Sequence, residues 1–120
     1  MRHRLESGIE YEDLKISGGP IVHEGDIVNL LYRVARSEDD LAQGRILEQR
    51  GDHQTPLEIV VDRNELLSGV FEGLLGMRAG GSIRRLFIPA HRAFGDLGWG
   101  PVRPGESLVI ELVTSLVRRP

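Results

Sequence analysis

The chain has 120 residues, no cysteine and a formal net charge of −3 at pH 7. Its length suits a single hydrophobic core, and the absence of thiols excludes disulfides and thiolate chemistry. The mildly acidic balance gives no general electrostatic reason to bind nucleic acid or an anionic membrane, and no segment is apolar for long enough to span a bilayer as a helix.

The opening MRHRLESGIEYEDL has basic residues without an apolar stretch behind them. It predicts an unexported, soluble, cytoplasmic chain, monomeric and with one domain over 1–120, frayed at 1–7 and at 118–120. A short strand is expected at Tyr11–Ile16. In DIVNLLYRV the residues Val28, Leu30, Tyr32 and Val34 share one face, with Asn29 and Arg33 on the other, which is the period of a half-buried strand. SEDDLAQG is polar and acidic and QRGDHQTP carries Gly, Asp and Pro, so both read as exposed loops, the first extended over 37–43.

A further short strand is expected at Leu57–Val61. LLSGVFEGLLGM is the one segment with helical spacing, in Val70, Phe71, Leu74 and Leu75, with Ser68 as a cap and Gly76 as a stop. Gly69 and Gly73 each weaken such a helix by roughly 1 kcal/mol relative to alanine, so packing must hold it. SIRRLFIP places Arg84, Leu86 and Ile88 on one face, and SLVIELVTSLV aligns Leu108, Ile110, Leu112 and Leu116. The Arg84-Arg85 and Arg118-Arg119 pairs read as solvated strand or tail residues. A twisted antiparallel sheet closing over one short helix follows, an α+β fold.

Several chemistries lack candidates. GLLGMRAGG is rich in glycine but follows a helix and lacks the Gly-Lys-Ser/Thr ending of a phosphate loop. His3, His23, His53 and His91 are scattered without ligand spacing, so neither a metal nor another cofactor is expected. Ser68 and Ser107 suit a cap and a strand opening better than a nucleophile. What remains is a cleft between sheet and helix, facing Tyr32, Leu47, Leu67, Val70, Phe94, Val102 and Ile110. On periodicity alone the ordinary core is the favoured reading of these residues.

The stretches SGIEYEDLKISGGPIVHEGDIV, LLYRV, GRILE, LSGVFEGLLGMRAGGSIRRLFIP, AHRAFG and PVRPGESLVIELVTSL stand in one order and register. Together they resemble the FKBP-type peptidyl-prolyl isomerases, bacterial single-domain members in particular, over nearly the whole chain. The resemblance implies a half-open antiparallel barrel wrapped around a short helix, with the pocket between them. It implies catalytic roles for Tyr32, Glu48, Leu67 and Phe94, and a substrate-binding wall of Leu47, Leu57, Leu66, Val70, Val102 and Ile110. The implied partners are proline-containing peptides or unfolded proteins, with macrolides as weak ligands.

The departures from the family pattern bear on activity. Val70 replaces the tryptophan of the pocket floor, Leu47 and Ile110 replace phenylalanines, Glu48 replaces an aspartate, and Phe94 lacks the hydroxyl of the family's tyrosine. The implied pocket is wider and more aliphatic. One residue also looks added within GGSIRR, where a bulge would absorb it. Two readings stay open: an isomerase of lowered activity, or a catalytically poor module binding a peptide, a partner protein or a small apolar ligand, with Trp99 on a loop over the pocket as an anchor.

Overall fold

The computed structural model describes residues 2–52, 54–64, 66, 68–92 and 102–119. In chain order these form β1 (Arg2–Arg4), β2 (Glu10–Lys15), β3 (Ile27–Ala35), α1 (Glu38–Ala42), β4 (Glu48–Arg50), β5 (Leu57–Val60), α2 (Ser68–Leu74), β6 (Ser82–Ile88) and β7 (Leu108–Arg118), with a 3-10 turn at Ala90–Arg92. All the strands join one sheet in the order β1-β2-β6-β7-β3-β4, and β5 also pairs with β3. Every pairing is antiparallel. β4 and β5 lie end to end along the same edge of β3, on Tyr32–Val34 and Ile27–Leu30 respectively, as two pieces of one edge interrupted between Arg50 and Leu57.

The alternation expected of β3, β6 and β7 sorts their side chains onto two faces. On the inner face Val28, Leu30, Val34, Leu86, Ile88, Leu108, Ile110 and Leu112 pack with Val70, Phe71 and Leu74 of α2 in one core cluster. Gly69 and Gly73, four residues apart, put the bare side of α2 against β6. A Cβ on Gly69 would come within 2.5 Å of Ile88 Cδ1, and one on Gly73 would meet the Leu86 side chain more closely still. The two glycines weaken the helix as a helix but let it sit directly on the sheet. Gly76, at φ +84°, ends the turn that follows.

Four sequence expectations need correction. The stretch expected to be an acidic loop contains a helix, α1. Ser37 Oγ accepts the Asp40 amide as N-cap, and Glu38, Asp39 and Asp40 sit in the first turn, where negative charge is favoured. Leu41 then buries against Ala35 and Val109, with Ile46 and Phe87 beside them, on the outer face of the sheet. A single inward leucine is enough to dock it.

The chain ends are paired where fraying was expected. β1 pairs with β2 from Arg2↔Glu12 to Arg4↔Glu10, and β7 continues to Arg118, opposite Ile27. Beyond it, Arg119 Nε lies 3.4 Å from a carboxylate oxygen of the buried Asp26.

The third correction concerns the even spacing of β7. Asn29 faces Leu116 but Leu30 faces Thr114, so Ser115 is an extra residue. This bulge reverses the alternation: Leu116 is 63% exposed, and Val117 packs on the core in its stead. The amides of Gly80 and Gly81 donate to the Ser115 and Thr114 carbonyls at 3.0 and 2.7 Å. A second bulge lies on β2 at Leu14, opposite the Ile83–Arg84 step where an added residue was expected on β6.

Last, Arg84 and Arg85 are not solvated. Arg84 is 7% exposed, and the Arg85 guanidinium bridges Glu111 at 3.0 Å and Glu38 of α1 at 3.3 Å on the outer face.

Candidate functional site

Six of the expected site residues belong to, or pack against, the inner core cluster. Tyr32, Leu47 and Leu66 are partly buried hydrophobics against the inner core cluster, and Val70, Val102 and Ile110 belong to that cluster. The split has a structural cause. Ile110 stands mid-sheet between Val34 and Leu86, Val70 is in the first turn of α2 against the sheet, and all three are nearly sealed, at 5%, 3% and 1% exposed for Val70, Val102 and Ile110. Tyr32, Leu47 and Leu66, by contrast, keep part of their surface exposed. Leu57 pairs with Leu30 at the start of β5 and stays outside this cluster. Leu67, Phe94 and Trp99 lie outside the described residues.

β4 sets the polar rim. Leu47 N–H donates to the Val34 carbonyl at 2.8 Å, which starts the pairing that puts Glu48 opposite Val34 and Arg50 opposite Tyr32. Residues directly opposite in an antiparallel pair share a face, so Glu48 and Arg50 flank the phenol on the inner side. Glu48 Oε1 meets Arg50 Nη1 at 3.5 Å. Among the described residues no hydrogen bond joins Glu48 to Tyr32. Burial raises the Tyr32 pKa above the usual tyrosine value, the nearby Glu48 carboxylate raises it further, and Arg50 opposes both. At neutral pH Tyr32 is therefore a hydroxyl that can donate.

Arg50 was missed in the sequence because QRGDHQTP reads as loop from its first residue. The period-2 step from Glu48 to Arg50, facing the Val34 and Tyr32 of β3, was the available signal. A second missed feature is a groove of about 440 Å³ beside the candidate pocket, lined by Ile59, Val60, Asp62 and Leu66.

Chemically, these residues offer apolar side chains, one half-buried phenol and a carboxylate–guanidinium pair near it. Among the described residues no three His, Cys, Asp or Glu side chains gather as metal ligands. Such a set can desolvate and orient a ligand.

Residues 19–113 match the family of FKBP-type peptidyl-prolyl cis-trans isomerases. The chain belongs to that family. Among its relatives, an FK506-binding protein of Streptomyces anulatus is 35% identical over 101 residues, covering 82% of this chain and 77% of that protein. The peptidyl-prolyl cis-trans isomerase FKBP16-1, chloroplastic, of Arabidopsis thaliana is 32% identical over 87 residues; the match covers 72% of this chain and only 42% of the plant protein's length. Among solved structures, a peptidyl-prolyl cis-trans isomerase of Pseudomonas syringae pv. tomato superposes with a TM-score of 0.79 at 26% identity, covering 98% of this chain and 81% of the other. The FKBP fold thus accounts for the half-open sheet with α2 against its inner face. α1, on the outer face, stands apart from the candidate pocket.

Proposed function

We propose that this FKBP chain accelerates cis–trans exchange of X-Pro bonds in peptides or unfolded proteins, more weakly than members with an aromatic pocket. The family match over residues 19–113 carries the reading. The partly buried Tyr32, Leu47 and Leu66, all packed against the inner core cluster, support it.

Rotating an amide meets a barrier of about 18–20 kcal/mol, and nothing covalent need change. The twisted amide loses conjugation and is less polar than the planar one. A dry apolar site holding the proline ring therefore favours the twisted form over the ground state. In this scheme Leu47 and Leu66 enclose the ring and Val70, Val102 and Ile110 form the floor beneath it. Tyr32 donates to a substrate carbonyl, while Glu48 and Arg50 set the polarity of the rim.

Replacing aromatic walls by Leu47, Val70 and Ile110 removes contact area, at about 25 cal/mol per Å² of apolar surface left uncovered. Macrolide ligands are accordingly proposed to bind weakly. The near-complete burial of Val70, Val102 and Ile110 favours a second reading, a binding module with little catalysis, because side chains engaged in the core offer a ligand little surface. Exchange spectroscopy on a proline peptide separates the two. Faster exchange with the protein, reduced by Tyr32→Phe without loss of stability, is expected; peptide binding with unchanged exchange would leave the module.

A further inference from the structure

The groove of Ile59, Val60, Asp62 and Leu66 shares Leu66 with the wall of the candidate pocket and runs over the edge of β5. Its walls are apolar, and Asp62 is the one charged side chain among its described lining residues. The neighbouring cation, Arg63, feels the Asp62 charge but is engaged chiefly by another carboxylate. Arg63 is held by Glu24 through two contacts, Nε to Oε2 at 3.1 Å and Nη2 to Oε1 at 2.8 Å. Asp62 Oδ1 accepts the Asn64 amide at 2.9 Å, and among the described residues Asp62 has no ion-pair partner. One carboxylate oxygen is thereby engaged in a local turn.

The same edge offers main-chain groups. Val61 N–H donates to the Asp26 carbonyl and its C=O accepts the Gly25 amide, both at 2.9 Å and both on the β3 side. Amide direction alternates along a strand, so the Val60 N–H and C=O point away from β3, toward the open edge. An extended peptide leaving the pocket past Leu66 would find apolar walls, a strand edge and then a carboxylate.

We propose that this groove is a specificity subsite for the residue flanking the substrate proline, and that Asp62 selects a cationic side chain there. The inference rests on the proline-peptide reading of the pocket. It concerns binding, so its test is separate from that of catalysis.

The experiment titrates the protein, by isothermal calorimetry or amide chemical shifts, with short Ala-X-Pro-Y-Ala peptides carrying Lys, Leu or Glu at X or at Y. A lysine peptide is expected to bind about fivefold more tightly than its glutamate counterpart at one of the two positions at low salt, the scale of a partly exposed ion pair. That ratio should shrink at high salt. Asp62→Asn should bring the two affinities together, and Asp62→Lys should reverse their order. Equal affinities for wild type, a ratio insensitive to salt, or no binding of any peptide would overturn the proposal; the wild-type titrations decide it even if a variant fails to fold. Faster exchange without charge preference would overturn this inference alone, and charge-selective binding without faster exchange would support it while overturning the isomerase reading.

Discussion

Arg84 Nε donates to Asp13 Oδ1 at 2.7 Å, joining the inner face of β6 to β2. The same guanidinium donates through Nη1 to the Gly73 and Leu75 carbonyls at 3.1 and 3.2 Å, and its Cζ lies 4.1 Å from the centre of the Tyr11 ring. One buried cation thus closes the C-terminal end of α2, where carbonyls lack helix partners and positive charge is favoured. Arg84→Ala strands Asp13 and two carbonyls in a low-polarity site, and should lower stability by ~3 kcal/mol in urea unfolding. Arg84→Lys should recover part of this, and combining Arg84→Met with Asp13→Leu should cost less than the sum of the single changes.

The glycines of α2 give a prediction whose sign opposes helix propensity. Alanine in a helix is favoured over glycine by about 1 kcal/mol. At Gly73 the added Cβ would strike Leu86, and at Gly69 it would strike Ile88. Gly73→Ala is therefore expected to destabilise by ~1–3 kcal/mol, as overpacked cores do, with Gly69→Ala in the same direction. A higher thermal midpoint for either variant would show that α2 does not need to lie so close to β6.

Several of these features show where the sequence was legible and where it was not. The strand periods of β3 and β6 appear directly in the residue order, because a half-buried strand needs only local alternation. Arg84 fell on the inward face by that period, yet a charge was read as solvated because its partners, Asp13 and the α2 carbonyls, are remote in sequence. Leu116 was assigned inward since nothing in SLVIELVTSLV marks Ser115 as a bulge; the bulge is defined by the register of β3 and the amides of Gly80 and Gly81. α1 carries its cap and acidic first turn in SEDD, but one inward leucine gives no helical period. At the candidate site, the resemblance to the FKBP family supplied Tyr32 and its neighbours. Arg50 is marked only by its period-2 step from Glu48, and nothing local marks Asp62, since the interest of both lies in what faces them.

Tyr32 should titrate above the ordinary tyrosine value. Tyr11 and Tyr32 are the two tyrosines of the chain, so ultraviolet titration of Tyr11→Phe follows Tyr32 alone. Glu48→Gln should lower its midpoint and Arg50→Gln should raise it, matching the directions of their charges. The folded pKa is raised, so the phenol's contribution to stability is complete below the unfolded value near 10 and is lost as pH rises through the folded one. Wild type should therefore lose stability relative to Tyr32→Phe only in that alkaline range. Midpoints unmoved by Glu48→Gln would separate the carboxylate from the phenol.

Val70 is 5% exposed and packed within the inner cluster. Val70→Trp introduces the ring that the family resemblance implies at this position but must fit a much larger side chain into that cluster. A cost of ~1–3 kcal/mol in stability is expected from overpacking. A variant of unchanged stability that binds a macrolide more tightly than wild type would instead reveal room beneath Leu66.

The central claim is that the FKBP pocket of this chain still catalyses amide rotation despite its aliphatic walls. Its most direct test is NMR exchange spectroscopy on a panel of X-Pro peptides with varied X, comparing cis–trans rates with folded protein in excess and without it. The uncatalysed process takes tens of seconds or longer, so even a weak catalyst is visible. The account predicts faster exchange for at least part of the panel, reduced by Tyr32→Phe. Rates identical to the free peptides across every X would contradict it.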